Sequence, residues 1–183
     1  VRRVLVVGGH LVDRPDRVPP RFPQHRVEAV TAAMGAVLDE WEAGPGTTLI
    51  CGGARGADLI GAELALERGA AVRLRLALPP AEFARRSVDL RGTDWHARFE
   101  EVRARAEVEV LPAGAAVGDE VFALVNAWMA EEAYGLDERP RAIVVWDGKP
   151  GDGPGGTADL VALLTGRDVK TQIRIIHPDP TAL

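Results

Sequence analysis

The sequence predicts a doubly wound α/β fold, a mostly parallel sheet with helices on both faces. Two observations carry that expectation. Short apolar, β-branched runs alternate along the chain with stretches of helical apolar spacing. Glycine and proline turns separate the two kinds of stretch. Continuous apolar runs are what strands buried on both faces require, and alternation of strand and helix is what a parallel sheet requires. Right-handed crossovers in such a sheet bring every strand-to-helix loop to one edge, where ligands of open α/β folds bind.

The elements follow in order. Val4 to Val7 is the first strand, ending at Gly8-Gly9-His10. Leu11 to Pro23 is a long loop, stiffened by Pro15, Pro19, Pro20 and Pro23. Val27, Val30, Met34, Val37, Leu38 and Trp41 share a helix face, and Gly44-Pro45-Gly46 ends that helix. Thr48 to Cys51 is a second strand; after Gly52 to Gly56 a helix carries Leu59, Ile60, Leu64 and Leu66 inward. Ala71 to Leu78 alternates Val72, Leu74 and Leu76 with Arg73 and Arg75, which predicts an exposed face near a sheet edge. Ala81 to Leu90 reads as a short helix or lid, and a helix capped by Thr93 or Asp94 runs to about Ala106. Glu107 to Leu111 is a fourth strand, followed by a helix capped by Asp119 and running through Ala133. Arg141 to Trp146 is a fifth strand, Ala158 to Leu164 a helix, and Lys170 to Ile176 the last strand.

Length and composition bound the function. A chain of 183 residues suits one domain, read as residues 1–178, with 179–183 as a tail or the start of a linker. Twenty-two basic residues against 27 acidic ones give a net charge of −5, which argues against a nucleic-acid surface. The single cysteine, Cys51, excludes an intrachain disulfide and fits a reducing compartment. No apolar run reaches the ~18 residues of a membrane span, so a cytoplasmic protein is expected. The four histidines are scattered without metal-ligand spacing, and neither a metal nor a cofactor is expected.

Three glycine-bearing loops follow strands: Gly8-Gly9-His10, Gly52-Gly53-Ala54-Arg55-Gly56, and Gly151 to Thr157. A parallel sheet gathers all three on its carboxyl edge. Glycines admit a close ligand, and the helices behind them aim free N–H groups at the same place, so an anion, most often a phosphate, is the natural occupant. Arg55 would add a forked donor, and Arg14, Arg17 and Arg21 supply further guanidinium groups from the proline-rich loop. In the third loop, Gly155, Gly156 and the Thr157 hydroxyl could hold a phosphate. Asp13, Asp58, Asp147 and Asp159 stand near these loops, where one could accept from ribose hydroxyls; Asp58 also suits a helix start. His10 is a candidate donor to the ligand. Trp146 is the one tryptophan placed to flank a base or ribose, and Trp128 and Met129 mark a helix face that could serve a homo-oligomer. GGHLVD does not match the dinucleotide fingerprint, which disfavours a redox NAD enzyme.

The combination VVGGHLVDRPDR…PRFP, CGGARGADLIGAELALERG, LPPAEFARRSVD…W..RF and VVWDGKPGDGPGGTADLV resembles the SLOG superfamily, which holds LOG-type phosphoribohydrolases and DprA-like Rossmannoid domains. The resemblance is to its sensor-type branch, found in bacteria with TPR repeats or signalling effectors of conflict and defence systems. It implies a Rossmann-like fold and a pocket for a nucleotide or nucleotide-derived signal, using Gly8, Gly9, His10, Gly52, Gly53, Arg55, Gly56, Asp58, Gly155, Gly156 and Thr157. The LOG hydrolases carry PGGxGT followed by two residues and a catalytic glutamate. Here the loop is shortened to Pro154-Gly155-Gly156-Thr157, and Leu160 stands three after Thr157. Asp159 is one residue away, about 100° round the helix. The expectation is therefore a sensor domain without catalysis that controls a fused or partner effector. The alternative is a nucleoside monophosphate hydrolase using Asp159 or Asp147.

Overall fold

The computed structural model describes residues 3–151, 153–166 and 172–179. Six strands form one sheet: β1 (Arg3–Gly9), β2 (Thr47–Cys51), β3 (Ala71–Leu76), β4 (Glu107–Val110), β5 (Arg141–Val145) and β6 (Gln172–Ile176). Their order is β4-β3-β2-β1-β5-β6, and every neighbouring pair is parallel. This is a Rossmann-like α/β sheet. The expected strand residues Lys170 and Thr171, Asp152 of the glycine loop and the tail from Pro180 lie outside the described residues.

The helices are α1 (Val27–Glu40), α2 (Ala57–Glu67), a single turn α3 (Pro80–Phe83), α4 (Trp95–Arg105), α5 (Glu120–Leu136) and α6 (Thr157–Thr165). One layer joins α1, α2 and α4 by mutual packing; the other pairs α5 with α6. The central strands are apolar because both layers cover them: Val6, Val7, Leu49, Ile50, Ile143 and Val144 are fully buried. Gly61 on α2 has no room for a side chain, since a Cβ there would meet Val7 at 2.7 Å. The first strand runs on through Gly8 and Gly9, which pair with Val144 and Val145. That pairing carries the chain straight to the carboxyl edge.

Three local expectations are corrected. Arg75 does not face solvent: it is 2 % exposed, because Glu132 reaches it from α5 and Glu107 from β4, at 2.6 and 2.9 Å. Neither Asp94 nor Asp119 caps its helix with a side-chain hydrogen bond; Asp119 pairs with Arg86 instead, at 2.8 Å. Met129 lies in the core, 3 % exposed, while Trp128 beside it lies under the Arg75 guanidinium. Residues Ala84–Val88, expected as a helix or lid, form one turn of π-helix, a distortion that recurs at functional sites. No helix among the described residues is long and apolar enough to cross a membrane.

Candidate functional site

Strand order reverses beside β1: β2 to β4 extend to one side, β5 and β6 to the other. The loops after β1 and β5 therefore diverge and leave a crevice outside their carboxyl ends. A cavity of about 630 Å³ opens there.

Its first wall is the proline-rich loop after β1. Asp13 closes that loop like a drawstring. Its Oδ2 accepts from the Arg21 and Phe22 backbone N–H groups at 2.7 and 2.8 Å, and its own N–H donates to Phe22 O at 2.8 Å. Val12 and Phe22 anchor the two ends in the core with no exposure at all. Thus pinned, the loop presents Arg14, Arg17 and Arg21 to the cavity. Arg21 also donates to Pro150 O at 3.2 Å, joining this wall to the loop after β5.

The turn after β2 lies underneath. Gly56, at φ 101°, would place a Cβ 2.7 Å from His10 O, so only glycine lets the first loop cross here. Arg55 is held between them. It is 5 % exposed, and its Nε donates to Val12 O at 2.8 Å. Arg55 lines the cavity, and its Nη1 is buried and has no hydrogen-bond partner among the described residues. Burial, and then the charge of Arg14, push its pKa down. A buried charged donor left unmade costs about 1–3 kcal/mol or more.

The third wall is the glycine loop after β5. Asn126 on α5 holds it by donating to Gly155 O and Gly156 O at 3.0 and 3.3 Å. Gly155, at φ 80°, lies so close to Phe122 that a Cβ would meet it at 2.6 Å. Thr157 opens α6, and its hydroxyl stands 3.4 Å from His10 Nδ1. On the other side of the imidazole, Nε2 lies 3.0 Å from Asp147 Oδ1 and 3.2 Å from the Asp147 N–H. The shorter, charged partner is the stronger, so Nε2 carries the proton and Nδ1 is an acceptor for Thr157. Burial lowers the His10 pKa and outweighs the pull of Asp147, leaving the ring neutral at pH 7. Burial would raise Asp147, but hydrogen bonds from His10 and the Lys149 amide, with the charge of Arg21, hold it below the usual carboxylate range.

The structure thus places the sequence-derived candidates in three groups. Gly9, His10, Asp13, Arg14, Arg17, Arg21, Arg55, Gly155, Gly156 and Thr157 line the main cavity. Gly8, Gly52, Ala54 and Asp58 line a smaller chamber beneath it. Gly53, Gly56, Asp147 and Asp159 line neither. Gly53 faces Leu76 and Phe99 in the core, and Asp159 turns back to accept from Gly155 N–H at 2.7 Å. Asp58 does the same within its own turn: its Oδ2 accepts from Ala54 N–H at 3.1 Å, with the Gly52 and Gly53 amides also directed at it. The amides after β2 thus serve Asp58. Burial raises that carboxyl to about 7 against their pull. Trp146 is absent from both cavity walls; its indole N–H donates to Lys149 O at 2.9 Å. Cys51 is buried, and burial pushes its thiol well up, away from the thiolate a nucleophile needs.

Wall residues not singled out as ligand contacts from sequence include Leu11, Val12, Asp16, Arg86, Ser87, Asp119 and Phe122. Arg86 reaches across the mouth to Asp119 and lies over the Phe122 ring, 5.3 Å from its centre. The available signal was Phe122 itself. An inward residue in the first turn of a helix that starts beyond the sheet edge covers the crevice rather than the sheet.

No protein-family model matches the chain, and no curated protein matches it. Among solved structures it is similar to the Moco carrier protein from Chlamydomonas reinhardtii, at 12 % identity over 95 % of this chain and 89 % of that one, with a TM-score of 0.37. The fold assignment rests on the sheet order and register given above.

Proposed function

We propose that this chain binds a small phosphate-bearing ligand of the nucleotide type in the cavity at the β1–β5 switch point, as a sensor-type member of the SLOG superfamily. The observation that carries the reading is Arg55: a residue that lines the cavity with four further arginines, and whose buried Nη1 has no hydrogen-bond partner among the described residues. An anion there would supply the missing acceptor, and the charge-assisted bond would offset the cost of burial. The Thr157 hydroxyl, at the N-terminus of α6, adds a second polar group beside a helix dipole of favourable sign.

Binding without cleavage is the form of the reading we favour. The two carboxylates considered for glycosidic cleavage, Asp159 and Asp147, are turned to Gly155 and His10 and do not line the cavity. Control of a fused or partner effector rests on the sequence resemblance. A thermal-shift panel of nucleoside monophosphates, sugar phosphates and inorganic phosphate tests the reading. Millimolar ligand is expected to raise Tm in the wild type, and by less in Arg55→Gln. Absence of any shift across the panel contradicts it.

A further inference from the structure

His10 is the only histidine on the wall of the cationic cavity among the described residues. We infer that it is a proton-dependent anion ligand: the imidazole takes up a proton together with the anion, so that the cavity binds anions more tightly in mildly acidic medium. The inference rests on the reading of the cavity as an anion site and deepens it.

Placement is the first argument. His10 continues β1 past Gly9, and its N–H donates to Val145 O at 2.9 Å, which fixes the ring at the switch point with 7 % exposure. Its two nitrogens face different groups. Nε2 lies 3.0 Å from Asp147 Oδ1, and Nδ1 lies 3.4 Å from the hydroxyl of Thr157, itself on the cavity wall. A second proton on the ring therefore meets an acceptor at either nitrogen, the Asp147 carboxylate or the Thr157 oxygen. Once Nδ1 donates to Thr157, the Thr157 O–H is released from the ring and can donate into the cavity. One proton thus adds a positive charge and a hydroxyl donor to the same wall.

The surrounding charges are the second argument. Asp147, after β5, and Asp13, in the first loop, favour the imidazolium, while Arg21, in the same loop, opposes it. The other charges on the cavity wall are Arg14, Arg17, Arg55 and Arg86 with Asp16 and Asp119, a cationic excess. From the turn after β2, Ala57 N–H donates to His10 O at 3.4 Å. From α6 come the Thr157 hydroxyl and the positive end of a helix dipole, while Asp159 is turned to Gly155 N–H. In the chain alone, burial tips this balance towards the neutral ring. An anion among the arginines offsets Arg21 and the dipole and adds an attraction of its own. Anion and proton then favour one another, and that coupling is reciprocal.

Inorganic sulfate is the probe, because its charge is constant where a histidine titrates, between about pH 5 and 8, whereas a phosphate monoester itself titrates at about 6. Isothermal titration of the wild type should show sulfate binding about fivefold or more tighter at pH 5 than at pH 8, and saturating sulfate should raise the pH at which the His10 ring titrates by NMR by about one unit. His10→Gln should lose the pH dependence. Asp58, raised to about 7 in the turn after β2, is the rival source of a proton, and Asp58→Asn should keep the dependence. Dependence that survives His10→Gln or disappears in Asp58→Asn overturns the inference. So does a His10 titration that sulfate leaves unmoved in the wild type, a readout that needs no variant to fold. Sulfate affinity independent of pH overturns the proton coupling and leaves the anion site standing. Absence of sulfate binding at every pH overturns the inference too, and the anion reading falls with it when the nucleotide panel also gives no Tm shift.

Discussion

Two arginines in this protein are almost equally buried and are treated in opposite ways. Arg75, on β3, is 2 % exposed and saturated: Glu132 takes it at 2.6 Å, Glu107 at 2.9 Å, Glu109 stands at 3.4 Å, and the ring of Trp128 lies 5.3 Å from its guanidinium carbon. Arg55, on the turn after β2, is 5 % exposed and has one hydrogen bond to Val12 O and a bare Nη1. Their pKa values move apart accordingly. Burial lowers both, but the carboxylates around Arg75 more than reverse it, whereas around Arg55 burial and Arg14 prevail. A buried charge with all its partners inside the chain is part of the scaffold. A buried charge whose partners are missing points at something the chain binds.

Breaking the scaffold arginine should give the largest effect. Arg75→Met leaves Glu132 with Arg73 as its partner, at 2.7 Å, but removes three charge-assisted hydrogen bonds, a loss of about 1.5–3 kcal/mol. Urea denaturation should show a lower midpoint by that amount, while the folded protein still binds its anion. Arg55→Gln should do the reverse. Stability should stay within about 1 kcal/mol, since a lost hydrogen bond and a removed unpaired charge offset each other. Anion affinity should fall by about tenfold, the equivalent of 1.4 kcal/mol.

The titrating groups sharpen the contrast further. Burial lowers the folded pKa of His10 below its unfolded value of 6.5, so the unfolded chain takes up the proton more readily. The stability His10 contributes is full above 6.5 and is lost as pH falls from that value through the lower folded one. Its ring should titrate by NMR below 6.5, and His10→Gln should flatten the acid limb. Asp58 runs the other way. Raised from 3.8 to about 7, it contributes stability below 3.8 that is lost as pH rises towards 7. The stability of wild type relative to Asp58→Asn should fall across that window and level off above it. A flat difference would mean that the three amides keep Asp58 ionised. The smallest effect belongs to Arg86, whose pair with Asp119 is exposed: Arg86→Ala should cost under about 1 kcal/mol of stability and weaken anion binding a few-fold.

The fold was legible because its signals are local. Runs such as Leu49 to Cys51 and Ile143 to Val145 are apolar on both faces, and glycine turns mark where each ends. Sheet order was not written in any one run, since β5 pairs with β1 across more than a hundred residues. The arginines of the first loop and Arg55 were legible as a cationic group. The use of the glycines was less so. Gly53 and Gly56 make room for neighbouring chain, against Phe99 and His10, rather than for a ligand. Neither the turn amides' capture by Asp58 nor the burial of Arg75 shows in spacing, because both depend on partners that only folding brings near. Phe122, Ser87 and Asn126 were missed as cavity-lining residues for the same reason: they reach the site from the opposite layer or from a π-turn.

The most direct test is calorimetric titration of the tightest-binding nucleoside monophosphate of the thermal-shift panel into wild type and Arg55→Gln at matched salt, with the melting temperature of each recorded alongside. A loss of affinity of about tenfold with an unchanged or higher Tm is the predicted result. Unchanged affinity, or a Tm that drops as far as that of Arg75→Met, would mean that Arg55 belongs to the scaffold and that the cavity does not recognise an anion through it.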